Sequence, residues 1–166
     1  MDPLTLIHVI LSLVGIAAGL VVVAAMIAGK NLVSMNVIFL WTTVLTSVTG
    51  YFFRVHKVLP SHIVGAISLV LLAVALYAWY GRRLAGGWRR TYAITAVLAL
   101  YLNCFVLVVQ LFLKVPALHA LAPTGTETPF KISQLVLLIV FLVLTVSAAI
   151  KFREPVAQPT TRSRAA

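Results

Sequence analysis

The segment Leu4–Ala28 reads LTLIHVILSLVGIAAGLVVVAAMIA and contains no Asp, Glu, Lys or Arg. Four more segments lack all four charged residue types, namely 32–53, 62–80, 92–113 and 132–150. Crossing a bilayer takes about 20 apolar residues in a helix, and each segment is close to that length or longer. Because lipid cannot satisfy backbone hydrogen bonds, the sequence predicts an all-α, polytopic bundle of five transmembrane helices.

The composition agrees with this class. Of the 166 residues, 62% are hydrophobic and 10% are charged, against about 25% charged in soluble domains. The spans and their short loops are predicted to form one transmembrane domain over residues 1–151. Residues 152–166 are rich in Pro, Thr and Arg and are predicted to be a disordered cytoplasmic tail. A signal peptide begins with a positively charged region, but no Lys or Arg precedes the first span. We therefore expect this span to be retained in the protein.

Basic residues are divided unequally between the two sides of the predicted bundle. Of the 13 Lys and Arg residues, four fall on the side of the N-terminus and nine on the side of the C-terminus. The positive-inside rule therefore predicts that the N-terminus lies outside the cell membrane and that the C-terminus lies in the cytoplasm. The net charge of +10 is then explained by topology and by contact with anionic lipids at the cytoplasmic face, and not by nucleic acid.

Small and polar residues form stripes along the predicted helices. In the first span, His8, Gly15 and Gly19 share a stripe, and the two glycines form a GxxxG motif that favours close helix packing. In the fourth span, Asn103 lies near the membrane midplane. A buried amide needs a hydrogen-bond partner, and Thr43 or Ser47 lies at a similar depth in the second span. We therefore expect Asn103, Thr43, Ser47, Gly15 and Gly19 to stabilise the contacts between helices, by hydrogen bonds or by close packing.

The histidines suggest three alternative sites at the outer face, because a histidine within a span is a functional candidate. In the first, His8 and His62 are the axial ligands of haem b. In the second, His8, His56 and His62, with Glu127, bind a transition metal such as zinc or copper. The third is a pocket for a quinone or another small amphipath, lined by His8, Arg54, Gln110 and Gln134. The alternative to all three is that the histidines are interfacial and bind only loops and headgroups.

Three segments carry a resemblance to a known group. They are TTVLTSVTGYFF (42–53), LPSHIVGAISL (59–69) and LNCFVLVVQ (102–110). Together they resemble small proteobacterial inner-membrane proteins that have no established activity. The resemblance implies a bacterial inner membrane and carries no functional residue with it.

Enzyme motifs are missing from the sequence, which contains no GxSxG, P-loop, GxGxxG or CxxC. We therefore expect a non-catalytic protein, either an accessory subunit or a small-ligand binder, with a polar, histidine-bearing site at the periplasmic face. It is expected to work as a homo-oligomer or within a larger membrane complex. One alternative is a small membrane redox protein that binds haem b or a quinone. The second alternative is a small oligomeric transporter.

Overall fold

The computed structural model describes residues 3–52 and 60–152. Within these ranges the chain forms six α-helices and one π-helical turn, without any strand. The elements are α1 (Pro3–Ile27), α2 (Val33–Gly50), α3 (Pro60–Leu76) with a π-helical continuation (Tyr77–Gly81), α4 (Trp88–Lys114), α5 (Pro116–Leu121) and α6 (Thr128–Lys151). All except α5 are long and apolar enough to cross a membrane, which confirms the prediction of five membrane-spanning helices.

Helix α4 is the centre of the bundle and packs against α1, α2, α3 and α6. Alanines at several of its buried positions let neighbouring helices approach closely, since an alanine side chain is a single methyl group. In contrast, α6 packs mainly on α4 and α1 among the described elements, and it exposes most of its apolar side chains. In a bilayer these side chains face acyl chains, so α6 forms the outer wall of the bundle.

The predicted GxxxG motif lies where α1 meets α2 and α4. A Cβ atom added to Gly19 would lie 2.7 Å from Leu100 Cδ1 and 2.8 Å from Phe39 Cδ2. At Gly15 it would lie 3.1 Å from the hydroxyl oxygens of Thr42 and Thr43. The absence of a side chain at these two positions is therefore what allows the three helices to pack this closely.

One end of the bundle, where α3 ends and α4 begins, is sealed by buried side chains and is called the closed end below. The chain reverses there through Arg83 and Leu84, both with positive φ, and this conformation places Leu84 in the core. Beside it, Tyr92 donates a hydrogen bond of 2.5 Å to Asn36 Oδ1, and both residues are buried. Phe152, the last described residue, packs on the Tyr92 ring with a centroid distance of 6.4 Å.

The helix bounds differ from the predicted spans mainly at polar ends. Helix α4 begins at Trp88 and α6 begins at Thr128, each four residues before the predicted apolar span. The backbone hydrogen bonds of α4 and α6 thus include polar residues outside the apolar run, whereas α2 (Val33–Gly50) is shorter than its predicted span of 32–53. Phe152 belongs to the packed bundle and not to the predicted tail, whereas residues 153–166 lie outside the described residues.

Candidate functional site

A cavity of about 510 Å³ lies between α1, α2, α3 and α4 at the end of the bundle where α1 begins and α4 ends, called the open end below. Its volume falls in the range of small-molecule pockets, about 300 to 1,000 Å³. Aliphatic side chains provide much of the wall, among them Val9, Leu13, Val106, Leu107 and Leu111. The polar lining residues are Thr5, His8, Ser12, Thr46, Ser47, Tyr51, His62, Ser68, Asn103, Gln110 and Lys114. The cavity therefore combines apolar walls with polar groups from all four helices.

His8 is held by a contact between α1 and α2. Its Nδ1 lies 2.9 Å from Thr49 Oγ1, and Thr49 Oγ1 also lies 3.1 Å from the Thr46 carbonyl oxygen. The Thr49 hydroxyl has a single proton, which it donates either to the Thr46 carbonyl oxygen or to His8 Nδ1, and this choice sets the tautomer of the His8 ring.

His62 lies at the first turn of α3 and is tied to α2 by Tyr51. The Tyr51 hydroxyl donates to the His62 carbonyl oxygen at 2.7 Å, and the two ring centroids are 5.5 Å apart. Both side chains line the cavity. This contact fixes the distance between α2 and α3 at the open end and brings His62 into the same cavity as His8.

Asn103 is the most deeply placed amide of the site and is only 8% exposed. Its Oδ1 accepts a hydrogen bond of 3.0 Å from the Ser12 hydroxyl. Its Nδ2 is buried and has no hydrogen-bond partner among the described residues. Leaving a buried donor unpaired costs about 1–3 kcal/mol, which sets this atom apart from the hydrogen-bonded hydroxyls of the site.

The partner of Asn103 differs from the expected one. The Thr43 hydroxyl donates to the Phe39 carbonyl oxygen at 2.7 Å, within its own helix. The Ser47 hydroxyl donates to Ser68 Oγ at 3.2 Å, which links α2 to α3. Depth alone suggested Thr43 or Ser47, but the close approach of α1 at its glycines brings Ser12 to Asn103 instead.

The rim of the cavity is formed by Gln110 and Lys114 near the end of α4, and both are exposed. The nearest acid in the sequence, Glu127, has a separate role. Its carboxylate accepts hydrogen bonds from the Thr124 N–H at 3.0 Å, from the Thr124 hydroxyl at 2.9 Å and from the Thr126 N–H at 2.9 Å. These bonds lower the pKa of Glu127 to about 2 and hold the turn before α6.

The remaining predicted site residues lie elsewhere. Gln134 is not one of the described residues that line the cavity. Its Nε2 donates instead to the Phe105 carbonyl oxygen at 3.3 Å, a bond that joins α6 to α4. Arg54 and His56 lie outside the described residues, so their predicted roles stay predictions. Within residues 3–52 and 60–152, no group of three His, Cys, Asp or Glu side chains is placed to hold a metal ion.

Several lining residues were not singled out from the sequence. Ser68 lies on α3, one turn after Gly65, which also lines the cavity. This spacing repeats the small and polar stripe that marks α1, and it was the available signal for the inner face of α3. Thr46, in the lining, and Thr49, the partner of His8, were not recognised because a threonine in a membrane helix usually bonds its own backbone, as Thr46 does here.

The fold and the cavity define a multi-pass helical membrane protein with a pocket inside the bundle. Comparisons with protein-family models, with curated proteins and with solved structures found no match. The functional argument therefore depends on the geometry of the site.

Proposed function

We propose that this protein binds a small amphipathic ligand in the cavity at the open end of the bundle, and that it does so without catalysing a reaction. The observation that carries the proposal is the buried Asn103 Nδ2, which lacks a partner among the described residues. A pocket with apolar walls and a few polar groups is the usual form of a small-molecule site. A ligand with a hydrogen-bond acceptor would satisfy this amide, and its apolar part would contact the aliphatic walls.

Ordinary helix packing explains two hydroxyl groups of the site but not the Asn103 Nδ2 atom. The Ser12 hydroxyl donates to Asn103 Oδ1 and the Ser47 hydroxyl donates to Ser68 Oγ, each on a neighbouring helix. Such bonds between membrane helices contribute about 0.6 kcal/mol each on average. A packing role alone would leave the Asn103 Nδ2 donor without an acceptor. Lipid cannot provide one at this depth.

Native mass spectrometry of the full chain, released from detergent after purification from its membrane, tests the proposal. We expect a co-purifying small molecule in the unaltered protein. The variant Val106→Trp fills the cavity and should lose that molecule, whereas Val143→Trp places the same bulk on the exposed face of α6 and should retain it. A ligand that is missing from the unaltered protein, or retained in Val106→Trp, would count against binding in the cavity.

We also propose that the open end faces the outside of a bacterial inner membrane. The support is the division of Lys and Arg, four against nine of 13, because cytoplasmic loops carry an excess of these residues. The variants Ala120→Cys and Ala85→Cys, each in a Cys104→Ala background, place a single exposed thiol at opposite ends of the bundle. An impermeant thiol reagent should label only Ala120→Cys in intact cells, and the opposite pattern would reverse the orientation.

A haem-binding redox protein is the second candidate. It is favoured by the position of His8 and His62, which line one cavity. It is also favoured by the bond between His8 Nδ1 and Thr49, since metal-ligating histidines commonly engage their other ring nitrogen in this way. An absorption spectrum of protein produced with ample haem tests it. A Soret band that disappears in His8→Ala would support the redox protein, and a colourless preparation would exclude it.

A further inference from the structure

The polar lining residues of α4 lie in two layers, with Gln110 and Lys114 near the rim and Asn103 in the interior. The described lining contains no Asp or Glu, and Lys114 is the only Lys or Arg in it. In the second layer, the Nδ2 atom of Asn103 has no hydrogen-bond partner among the described residues. Between them, Val106, Leu107 and Leu111 face the cavity from the same helix.

The two layers are separated by a defined distance along α4. Asn103 precedes Lys114 by eleven positions in a continuous helix, which corresponds to about 16 Å at 1.5 Å per residue. An extended hydrocarbon chain of roughly twelve carbons, at about 1.25 Å per C–C bond, covers nearly that distance. The cavity is therefore long enough for a medium-length chain whose two ends meet different chemistry.

We propose that the ligand is an anionic amphipath that carries a second, uncharged oxygen acceptor at the far end of a medium-length apolar chain. This inference rests on the proposed function and specifies its ligand. The anionic head would pair with Lys114 and Gln110 at the rim, the chain would contact the aliphatic residues of α4, and the second oxygen would accept a hydrogen bond from Asn103 Nδ2.

The charge of the site supports an anion over a neutral or cationic ligand. Glu127, the one acid among the described residues, directs its carboxylate to Thr124 and Thr126 and is not part of the lining. A cationic head group would therefore be repelled by Lys114, and none of the described lining residues carries a carboxylate that would offset this repulsion. A hydrogen bond to a charged group is also stronger than one between neutral groups.

Equilibrium binding to the full chain in phosphatidylcholine nanodiscs tests the two layers separately. The probes are dodecanoate, 12-hydroxydodecanoate and dodecanol, each measured by displacement of radiolabelled 12-hydroxydodecanoate. We expect dodecanoate to bind about tenfold more tightly than dodecanol, because of the charge at Lys114. The added hydroxyl should improve the affinity of dodecanoate about fivefold, as one buried hydrogen bond does.

Variants assign each difference to its residue. Lys114→Gln should remove the preference for dodecanoate over dodecanol, whereas Lys131→Gln, an exposed basic residue outside the described lining, should leave it unchanged. Asn103→Leu should make dodecanoate and its hydroxylated form bind equally. Ser12→Ala, which removes the neighbouring hydroxyl but keeps the amide, controls for altered packing and should retain most of the difference.

The possible failures are distinguishable. If all three probes bind with equal affinity and Lys114→Gln changes none of these affinities, the proposed class of ligand is wrong. The proposal that the cavity binds a small molecule would still stand. Saturable binding of none of the probes, together with a purified protein that carries no small molecule, would overturn the proposed function as well. A preference for the anion that persists in Lys114→Gln would refute the assigned head-group contact.

Discussion

Replacing Gly19 with alanine tests the closest helix contact in the bundle. The new Cβ would lie 2.7 Å from Leu100 Cδ1 and within 2.9 Å of the Phe39 ring. Leu100 is 0% exposed and Phe39 is 1% exposed, so neither side chain has space to move into. Alanine gains about 0.8–1.0 kcal/mol of helix propensity over glycine, but overpacking a tight core typically costs about 1–3 kcal/mol. The difference is a net loss of up to about 2 kcal/mol in the free energy of unfolding.

Gly65→Ala is the matched control for this substitution. Its Cβ would lie 3.4 Å from the Tyr51 ring, an ordinary contact with an exposed side chain, so only the gain in helix propensity remains. Reversible unfolding in mixed dodecylmaltoside and sodium dodecyl sulfate micelles, followed by far-ultraviolet circular dichroism, measures both variants. We expect opposite signs, with Gly65→Ala equal to or more stable than the unaltered protein. A Gly19→Ala variant as stable as Gly65→Ala would refute the close contact of α1 with α2 and α4.

Two further predictions concern groups outside the cavity. Tyr92→Phe should lower the free energy of unfolding by about 1–3 kcal/mol, because it leaves the buried Asn36 Oδ1 without its tyrosine donor. Tyr77→Phe, at an exposed position, should cost under about 0.5 kcal/mol. Equal losses in the two variants would contradict this assignment. For Glu127, a carbon-13 carboxyl titration should give a midpoint near the pKa of about 2, well below the ordinary value of 4.5, because of the hydrogen bonds from Thr124 and Thr126. Since the folded pKa is lowered, the stabilisation of this turn is complete above about pH 4.5 and is lost as the pH falls through about 2. A midpoint near 4.5 would show that the bonds to Glu127 do not form in solution.

The helices themselves could be predicted from the sequence, because a run of apolar residues near 20 in length has few other structural solutions. Small residues in such runs also indicate close packing, and the glycines of α1 lie at helix contacts. The prediction was less successful for the partners of each polar group. Sequence position gives the depth of a side chain in the membrane, but it does not give the rotation of each helix about its axis.

Two amides illustrate this limit. Asn103 lies at the depth of Thr43 and Ser47, yet it bonds to Ser12 because α1 packs against α4 at this level. Gln134 was predicted to share a pocket with Gln110, but α6 packs on a different side of α4, and Gln134 bonds to the Phe105 backbone there. In both cases the packing order of the helices decides the contact. That order depends on the sum of many small packing energies and leaves no local motif in the sequence.

The sealed closed end has a consequence for how a bound molecule would exchange. The closed end is filled by the packed side chains of Leu84, Tyr92 and Phe152. On α4, the lining residue nearest to this end is Leu102. The described cavity is thus open at one end and bounded by packed side chains at the other. A molecule that entered it at the open end would exchange with that side of the membrane, so the occupancy of the cavity would report the composition of that side. To deliver its contents to the other side, the protein would first have to unpack the core around Tyr92.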